Sequence, residues 1–336
     1  MTAGARGRIL AGIAVIVVLT GCGVLSPHTQ TASPGGQGTP AGSGSAASTP
    51  QSLPYDMSRL LNPAAGKFVG VEAEGAPSLA PVTSFAASVG KKPDLIGQYI
   101  AWNTSFDPRA VSTAWAYGAL YYLAWEPYGT TLAAIADGRN DAYITRFAAA
   151  VRALNLPVAI SFGHEMNGNW YPWGSSQTTA AEFVAAWRHI HNLFIQAGAS
   201  NVIWVWNPNI VNGLPQVQLR PYWPGASYVD WVGVTGYFPA TGPETFASLY
   251  GPSLAEIKRF TAKPIIIAET SVETGPSELQ AARSLVAGVR RHRDVLGFIW
   301  FDFNKGGVDW QIESRPVLRT ALAGDIAGLR LIDPKR

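Results

Sequence analysis

The sequence predicts an α/β fold, a (β/α)8 TIM barrel, and three observations carry that reading. Eight short apolar runs, each ending in polar or aromatic residues, recur between Phe68 and Phe303. Helical periodicity fills several of the gaps between them, and strand–helix alternation on this scale is what a closed parallel barrel requires. The rival is a doubly wound open sheet. No glycine-rich phosphate turn follows any of the runs, which weighs against it.

In chain order the predicted strands are Phe68–Glu72, Leu95–Trp102, Ala119–Trp125, Val158–Glu165, Val202–Asn207, Trp231–Tyr237, Ile265–Glu269 and Leu296–Phe303. Each is a short apolar run, many of its residues β-branched or aromatic, the types that suit a pleated surface. The helical patterns are Ala142–Leu154, Ala180–Ala197, Phe246–Phe260, Glu278–Arg291 and Val317–Ala327. Helices in the first three units are the most weakly patterned.

Ahead of the barrel the composition changes. Residues 1–21 carry Arg6 and Arg8, an apolar run from Ile9 to Leu19, and the ending Leu19-Thr20-Gly21 before Cys22. A basic start and about 11 apolar residues make a secretory signal rather than a membrane span, which needs roughly 20. The Leu-Thr-Gly-Cys ending resembles a bacterial lipobox, which implies that Cys22 is lipidated and becomes the mature N-terminus on the extracytoplasmic face of the membrane. Residues 22–60 read as a Gly/Ser/Thr/Pro-rich tether, since residues 23–54 contain no Asp, Glu, Lys or Arg. Such a stretch buries too little apolar surface to offset its ordering entropy. The catalytic domain is drawn over residues 61–330. With one cysteine in 336 residues, no intrachain disulfide forms and the fold rests on its core.

Overall composition narrows the function. The chain is 47% hydrophobic, 14% charged and has a net charge of +3, with 12 Trp, 12 Tyr and 13 Phe. A mainly disordered chain is excluded, and nucleic-acid binding has no basic footprint. Aromatic excess with few charges suits flat, uncharged ligands such as sugars, with a Trp-rich core as the alternative. A monomer is expected.

In a barrel the working residues lie at the C-terminal strand ends. Those ends hold Glu72, Trp102, Trp125 with Glu126, His164 with Glu165, Trp206 with Asn207, Tyr237, Glu269, and Trp300 with Asp302. Two carboxyls among tryptophan platforms are what glycosidic hydrolysis needs, one to protonate the leaving oxygen and one to attack or stabilise the anomeric carbon. In the fourth strand Ala159, Ser161 and Gly163 share a face with Glu165, which points Glu165 into the mouth. Glu269 closes an entirely apolar seventh strand, where a charge is costly unless paired or used. Glu126 and Asp302 read as solvated or hydrogen-bonded rim carboxylates, with a role as third-carboxylate helpers as the alternative. His164-Glu165 is not a zinc helix, because the fifth position of that motif is Gly168. Trp170 and Trp173 are read as sugar-stacking residues, with a core role as the alternative.

The stretch from Phe162 through His164, Glu165, Asn167, Trp170 and Trp173 to Gly174 resembles the acid/base motif of glycoside hydrolase family 26. The resemblance continues through Val202–Asn209, Tyr228–Gly233, Gly236-Tyr237 and Ile267–Thr270. It implies a (β/α)8 barrel acting on β-linked mannans, glucans or xylans by a retaining mechanism, with no cofactor and no metal. It assigns Glu165 as acid/base, Glu269 as nucleophile and Tyr237 as the tyrosine that orients the nucleophile. His164 and Trp170 would shape the sugar site, and Trp300 would be the platform beneath it; Trp102, Trp125, Trp173, Trp206 and Asn207 complete the expected substrate-binding set. Two departures bear on the substrate: Ser161 stands where the family has Arg, and Thr270 follows Glu269 where Phe-Gly is usual. A non-catalytic glycan-binding lipoprotein, and a hydrolase of the producer's own envelope or exopolysaccharide, are the alternatives.

Overall fold

The computed structural model describes residues 53–336 except 62, 64, 65, 215, 244, 306 and 336. The predicted signal peptide, Cys22 and the predicted tether up to residue 52 lie outside the described residues. A short helix α1 (Ser58–Leu61) leads into eight strands: β1 (Phe68–Ala73), β2 (Leu95–Ala101), β3 (Leu120–Glu126), β4 (Val158–Phe162), β5 (Val202–Trp206), β6 (Trp231–Thr235), β7 (Ile265–Thr270) and β8 (Val295–Asp302). All pair in parallel in sequence order, and β8 returns to β1 with Phe68 opposite Gly297 and Ala73 opposite Asp302. The ring is closed, as the alternation predicts.

Helices cover the outside: α2 (Leu79–Val89), α3 (Pro108–Tyr117), α4 (Leu132–Ala136), α5 (Asp141–Leu154), α6 (Ala180–Ala197), α7 (Phe246–Ile257), α8 (Glu278–Arg291) and, after a small hairpin of β9 (Asn304–Lys305) and β10 (Val308–Asp309), α9 (Pro316–Ala327). The helices of the first three units are all present. Their starts are written in side-chain chemistry: Asp107 caps α3 by accepting from the Arg109 N–H, with Pro108 at the first helical position. Thr179 and Glu182 form a capping box on α6. None of the helices described is long and apolar enough to cross a membrane.

Strand alternation sorts the core into two parts. Phe68, Leu95, Leu120, Tyr122, Ala159, Ile203, Trp231 and Ile266 fill the barrel interior. Alternate residues such as Val71, Leu123, Ile160 and Val232 pack outward against the helices. Met57 and Leu60, on the tether side of the boundary drawn from composition, are 8% and 2% exposed and join the interior cluster. They close the end of the barrel where the strands begin, which leaves the opposite end as the open mouth.

Candidate active site

Glu165 reaches the mouth by a turn rather than by strand alternation. β4 ends at Phe162, and both Gly163 and Glu165 adopt left-handed backbone, at φ 56° and 55°. That conformation is strained for a glutamate and persists only where the surroundings enforce it. The Glu165 N–H donates to Asn207 O at 2.7 Å, and the Gly168 N–H closes back on Glu165 O at 2.8 Å. Trp170 Nε1 donates to Glu165 Oε2 at 2.7 Å, and Asn209 Nδ2 donates to Oε1. Gly168 permits this: a Cβ there would lie 2.5 Å from the Trp170 indole. Buried and beside the charge of Glu269, the Glu165 carboxyl is pushed up to about 8 by desolvation first and by that charge second.

Glu269 arrives by a different irregularity. Ile266 and Ala268 face the barrel interior while Ile267 faces the helices. Simple alternation would send Glu269 outward. β7 instead carries one extra residue here: Gly233 and Thr235 of β6 pair with Ile266 and Glu269, two residues against three. The bulge returns the carboxyl to the mouth. Two phenols meet it there, Tyr237 donating to Oε1 and Tyr99 reaching Oε2. Burial raises its pKa above the ordinary carboxylate value, and the two tyrosines and the charge of Lys305 oppose that rise.

Two more carboxyls face the same space. Glu72 is 1% exposed and Glu126 is 2% exposed, so neither is a solvated rim group. Burial, and next the charge of Glu269, pushes Glu126 up to about 8. Among the described residues no ion pair within 4.0 Å touches Glu72, Glu126, Glu165 or Glu269. The interior beneath them is uncharged: Asn207 Nδ2 lies 3.4 Å from Tyr122 Oη and 3.2 Å from Thr235 Oγ1, and Ser161 is fully buried beside them. Lys305, half-buried in the hairpin after β8, is the cation whose charge reaches Glu126 and Glu269. No group of three or more His, Cys, Asp or Glu among the described residues could hold a metal ion.

Four buried carboxyls thus converge at the C-terminal mouth of a closed parallel barrel. Comparison with known proteins gives the lineage. Residues 132–261 match the profile of Glycosyl hydrolase family 26. Endoglucanase H of Acetivibrio thermocellus is 32% identical over 266 residues, 75% of this chain and 29% of that protein. The stretch that resembles glycosyl hydrolase family 26 runs from α4 through α7 and includes Glu165. Mannan endo-1,4-beta-mannosidase A and B of Caldalkalibacillus mannanilyticus is 33% identical over 125 residues, 35% of this chain and 21% of its own length. The chain therefore spans less than a third of either relative. Among solved structures, a modular endo-beta-1,4-mannanase from Cellulomonas fimi aligns with a TM-score of 0.65 at 16% identity, covering 82% of this chain and 74% of that one. A GH26 beta-mannanase from Bacteroides ovatus aligns at 0.61 with 14% identity, covering 81% and 92%. At such identities these two structures speak for the fold.

The aromatic residues of the barrel divide in a way the strand ends do not reveal. Trp125 and Trp206 are fully buried on the helix side. Trp125 stacks on Phe147 of α5 at 4.4 Å, and Trp206 donates to Tyr222 O at 3.0 Å. Trp102 is 5% exposed, lies against Trp125 and donates to Asn140 Oδ1 at 2.9 Å. These three are core residues and not sugar platforms. Trp300 must be corrected likewise: it is fully buried and faces the helices. The cause is a bulge in β8, where Ile265 and Ile266 pair with Val295 and Gly297 and so skip Leu296. The extra residue reverses the parity, and Phe301 rather than Trp300 turns toward Tyr237, at 5.6 Å.

Within the loop that carries Glu165 the roles also divide. Trp173 is 1% exposed, stacked on Tyr171 at 4.4 Å, and donates to His164 O at 2.7 Å. It braces the loop. His164 is buried with Nε2 3.2 Å from Tyr171 Oη, and burial pushes its pKa down to about 3, so the ring is neutral in ordinary conditions. Trp170 alone of the named tryptophans keeps a partly exposed ring at the mouth. Asn207 is buried in the polar layer beneath the site. Asp302 is buried too, accepts from the Ile312 N–H at 2.8 Å, and is pushed up to about 8 by burial and then by Glu313.

Tyr99, Asn209 and Asn167 are among the site residues that lay outside the predicted set. Tyr99 is mid-strand, on the inward face with Gly97. Asn209 lies beyond the end of β5, and Asn167 sits inside the loop that carries Glu165. The signal for Tyr99 was available in the alternation of Leu95, Gly97 and Tyr99. Nothing in the sequence marks the pairing of Asn167 with Asn209, 42 residues apart.

Proposed function

We propose that this family 26 barrel is a retaining β-glycosidase that cleaves within a β-linked mannan or glucan. The observation that carries the reading is that Glu165 and Glu269 share one buried mouth with different proton preferences. Glu165, pushed up to about 8, holds a proton for the leaving oxygen. Glu269, held by two phenols and facing Lys305, is the carboxyl that ionises first and attacks the anomeric carbon. The bond from anomeric carbon to Glu269 forms as the bond to the leaving oxygen breaks, and the Glu165 proton goes to that oxygen. Esterified Glu269 is neutral, so the charge that helped raise Glu165 is gone. Its proton affinity drops, and it can take the proton of the attacking water in the second step.

Internal cleavage is supported by the similarity to an endoglucanase and a mannan endo-1,4-beta-mannosidase. The Leu19–Cys22 segment supports attachment through lipidated Cys22 to the extracytoplasmic face of a membrane. The test is incubation of the purified protein with β-mannan, mixed-linkage β-glucan, cellulose oligosaccharides and xylan, beside a Glu165→Ala/Glu269→Ala double variant. Reducing ends should appear with the wild type alone, and NMR of the first product should show the β-anomer. An α-anomer as first product would remove the retaining mechanism. Binding without cleavage by both proteins would favour a glycan-binding role.

A further inference from the structure

Tyr99 stands between two carboxyls. Its hydroxyl lies 2.9 Å from Glu72 Oε2 and also within hydrogen-bonding reach of Glu269 Oε2. A phenol carries one proton and can donate to only one of them. The other contact sets lone pair against lone pair unless that carboxyl is itself protonated and donates to the phenol oxygen. Glu72 is the more enclosed of the two, 1% exposed against 9% for Glu269. Its Oε1 has no hydrogen-bond partner among the described residues. A neutral carbonyl oxygen bears that isolation at far less cost than a carboxylate does. Glu269 has the Tyr237 hydroxyl on its second oxygen and Lys305 facing it, which makes it the acceptor.

We propose that Glu72 is a positioning residue that stays protonated, donates to the Tyr99 oxygen, and thereby fixes the Tyr99 proton on Glu269. This rests on the reading of Glu269 as the nucleophile. The titratable groups facing Glu72 are Tyr99 from β2, Tyr122 and Glu126 from β3, Tyr237 from the segment after β6, and Glu269 from β7. All are acidic types, so none favours its ionisation by charge; burial, and next the charge of Glu269, holds Glu72 well above the ordinary range. Gly97 clears the space it needs, since a Cβ at that position would lie 2.2 Å from Glu72 Cγ and 2.6 Å from Oε1. The arrangement fixes the direction of a hydrogen-bond chain, from Glu72 to Tyr99 to Glu269, so the nucleophile receives two phenolic donors rather than one.

The experiment pairs rescue with a pH profile. Glu72→Leu cannot donate and leaves Tyr99 without its anchor; kcat should fall about tenfold, and Glu72→Gln, whose amide donates as the acid did, should restore most of it. The acidic limb of kcat/KM, which reports Glu269, should stay in place in Glu72→Gln. An ionised Glu72 would instead repel Glu269, and its replacement would move that limb down by about one pH unit or more, overturning the proposal. Tyr99→Phe should move the limb up, and an unmoved limb counts against the chain. Infrared spectra of protein carrying 13C at the glutamate side-chain carboxyl need no activity. Near neutral pH the wild type should show a deuterium-sensitive acid carbonyl band that is missing from Glu72→Gln and kept in Glu126→Gln and Glu165→Gln. Its absence overturns the proposal even if the glycosidase reading stands, whereas an inert wild type that keeps the band would sink only the glycosidase reading.

Discussion

Asn167 and Asn209 clasp each other's backbones: the Asn209 N–H donates to Asn167 Oδ1 at 2.8 Å, and Asn167 Nδ2 donates to Asn209 O at 2.9 Å. The clasp ties the loop after β4 to the segment after β5, and from it Asn209 Nδ2 reaches Glu165. A hydrogen bond to a charged group is worth about 1.5–3 kcal/mol. Asn209→Ala should lower kcat/KM by roughly ten- to a hundredfold. That bond favours the ionised acid, so its loss should also move the alkaline limb of the pH profile above the wild-type position near 8. Asn167→Ala should reproduce the rate loss and lower stability by about 1–3 kcal/mol, because it strands a buried loop backbone. An unshifted alkaline limb in Asn209→Ala would detach the asparagine from the acid.

The two carboxyls should separate by leaving group. Glu165→Ala should cut turnover of polysaccharide by about 10²–10⁴-fold and spare aryl glycosides with acidic leaving groups in the first step, since those need little protonation. Glu269→Ala should stop cleavage of both classes while oligosaccharide binding stays within a few-fold. Stopped-flow release of the aryl group measures the first step directly. Equal losses for good and poor leaving groups in Glu165→Ala would contradict the acid role.

How much of this was legible in the sequence follows from where the backbone stays regular. The eight strands were readable because a strand buried on both faces writes a continuous apolar run, and Val202–Trp206 and Ile265–Thr270 do so almost without interruption. The weak early helices were hidden because short helices such as Leu132–Ala136 give too few turns for periodicity to register. Glu165 and Glu269 could be named as mouth residues, yet neither gets there by the route that alternation supplies. One depends on a left-handed turn and the other on a bulge. The bulge at Leu296 turns Trp300 away from the platform role that the family resemblance implies: an inserted residue flips every later side chain, and no composition rule marks its place. The tryptophans at strand ends were ambiguous from the start, because a large ring serves equally well as outward core and as inward platform.

That division of tryptophans can be measured. Trp125→Ala and Trp300→Ala remove fully buried rings from the helix-side core and should each cost about 3–5 kcal/mol in urea unfolding. At temperatures where the variants remain folded, KM should be close to wild type. Trp170→Ala should do the reverse, with little change in stability, a raised KM, and a Glu165 alkaline limb moved upward through loss of the indole donor. Phe301→Ala, at the mouth beside Tyr237, should raise KM as well. A KM increase confined to Trp300→Ala would restore that residue as the platform and argue against the β8 bulge.

Glu126 offers a stability measurement that does not depend on the reaction. Its carboxyl is pushed up to about 8 from an ordinary 4.5, by burial first and by Glu269 second. A carboxyl raised in the folded state stabilises the fold, relative to its ionised form, below its unfolded pKa. That contribution is lost as pH rises through about 8, because the unfolded chain gives up the proton earlier. Wild-type stability should therefore decline between about pH 4.5 and 8, with Glu165 and Asp302 adding to the slope in the same direction. Glu126→Gln is neutral at every pH and should flatten its share of that decline. Its melting temperature should gain on the wild type between pH 5 and 9, by a few °C on the scale of about 2–4 °C per kcal/mol for domains of this size class. Parallel stability curves for the two proteins would show that Glu126 ionises in the fold as it does in water, and would place it in contact with solvent.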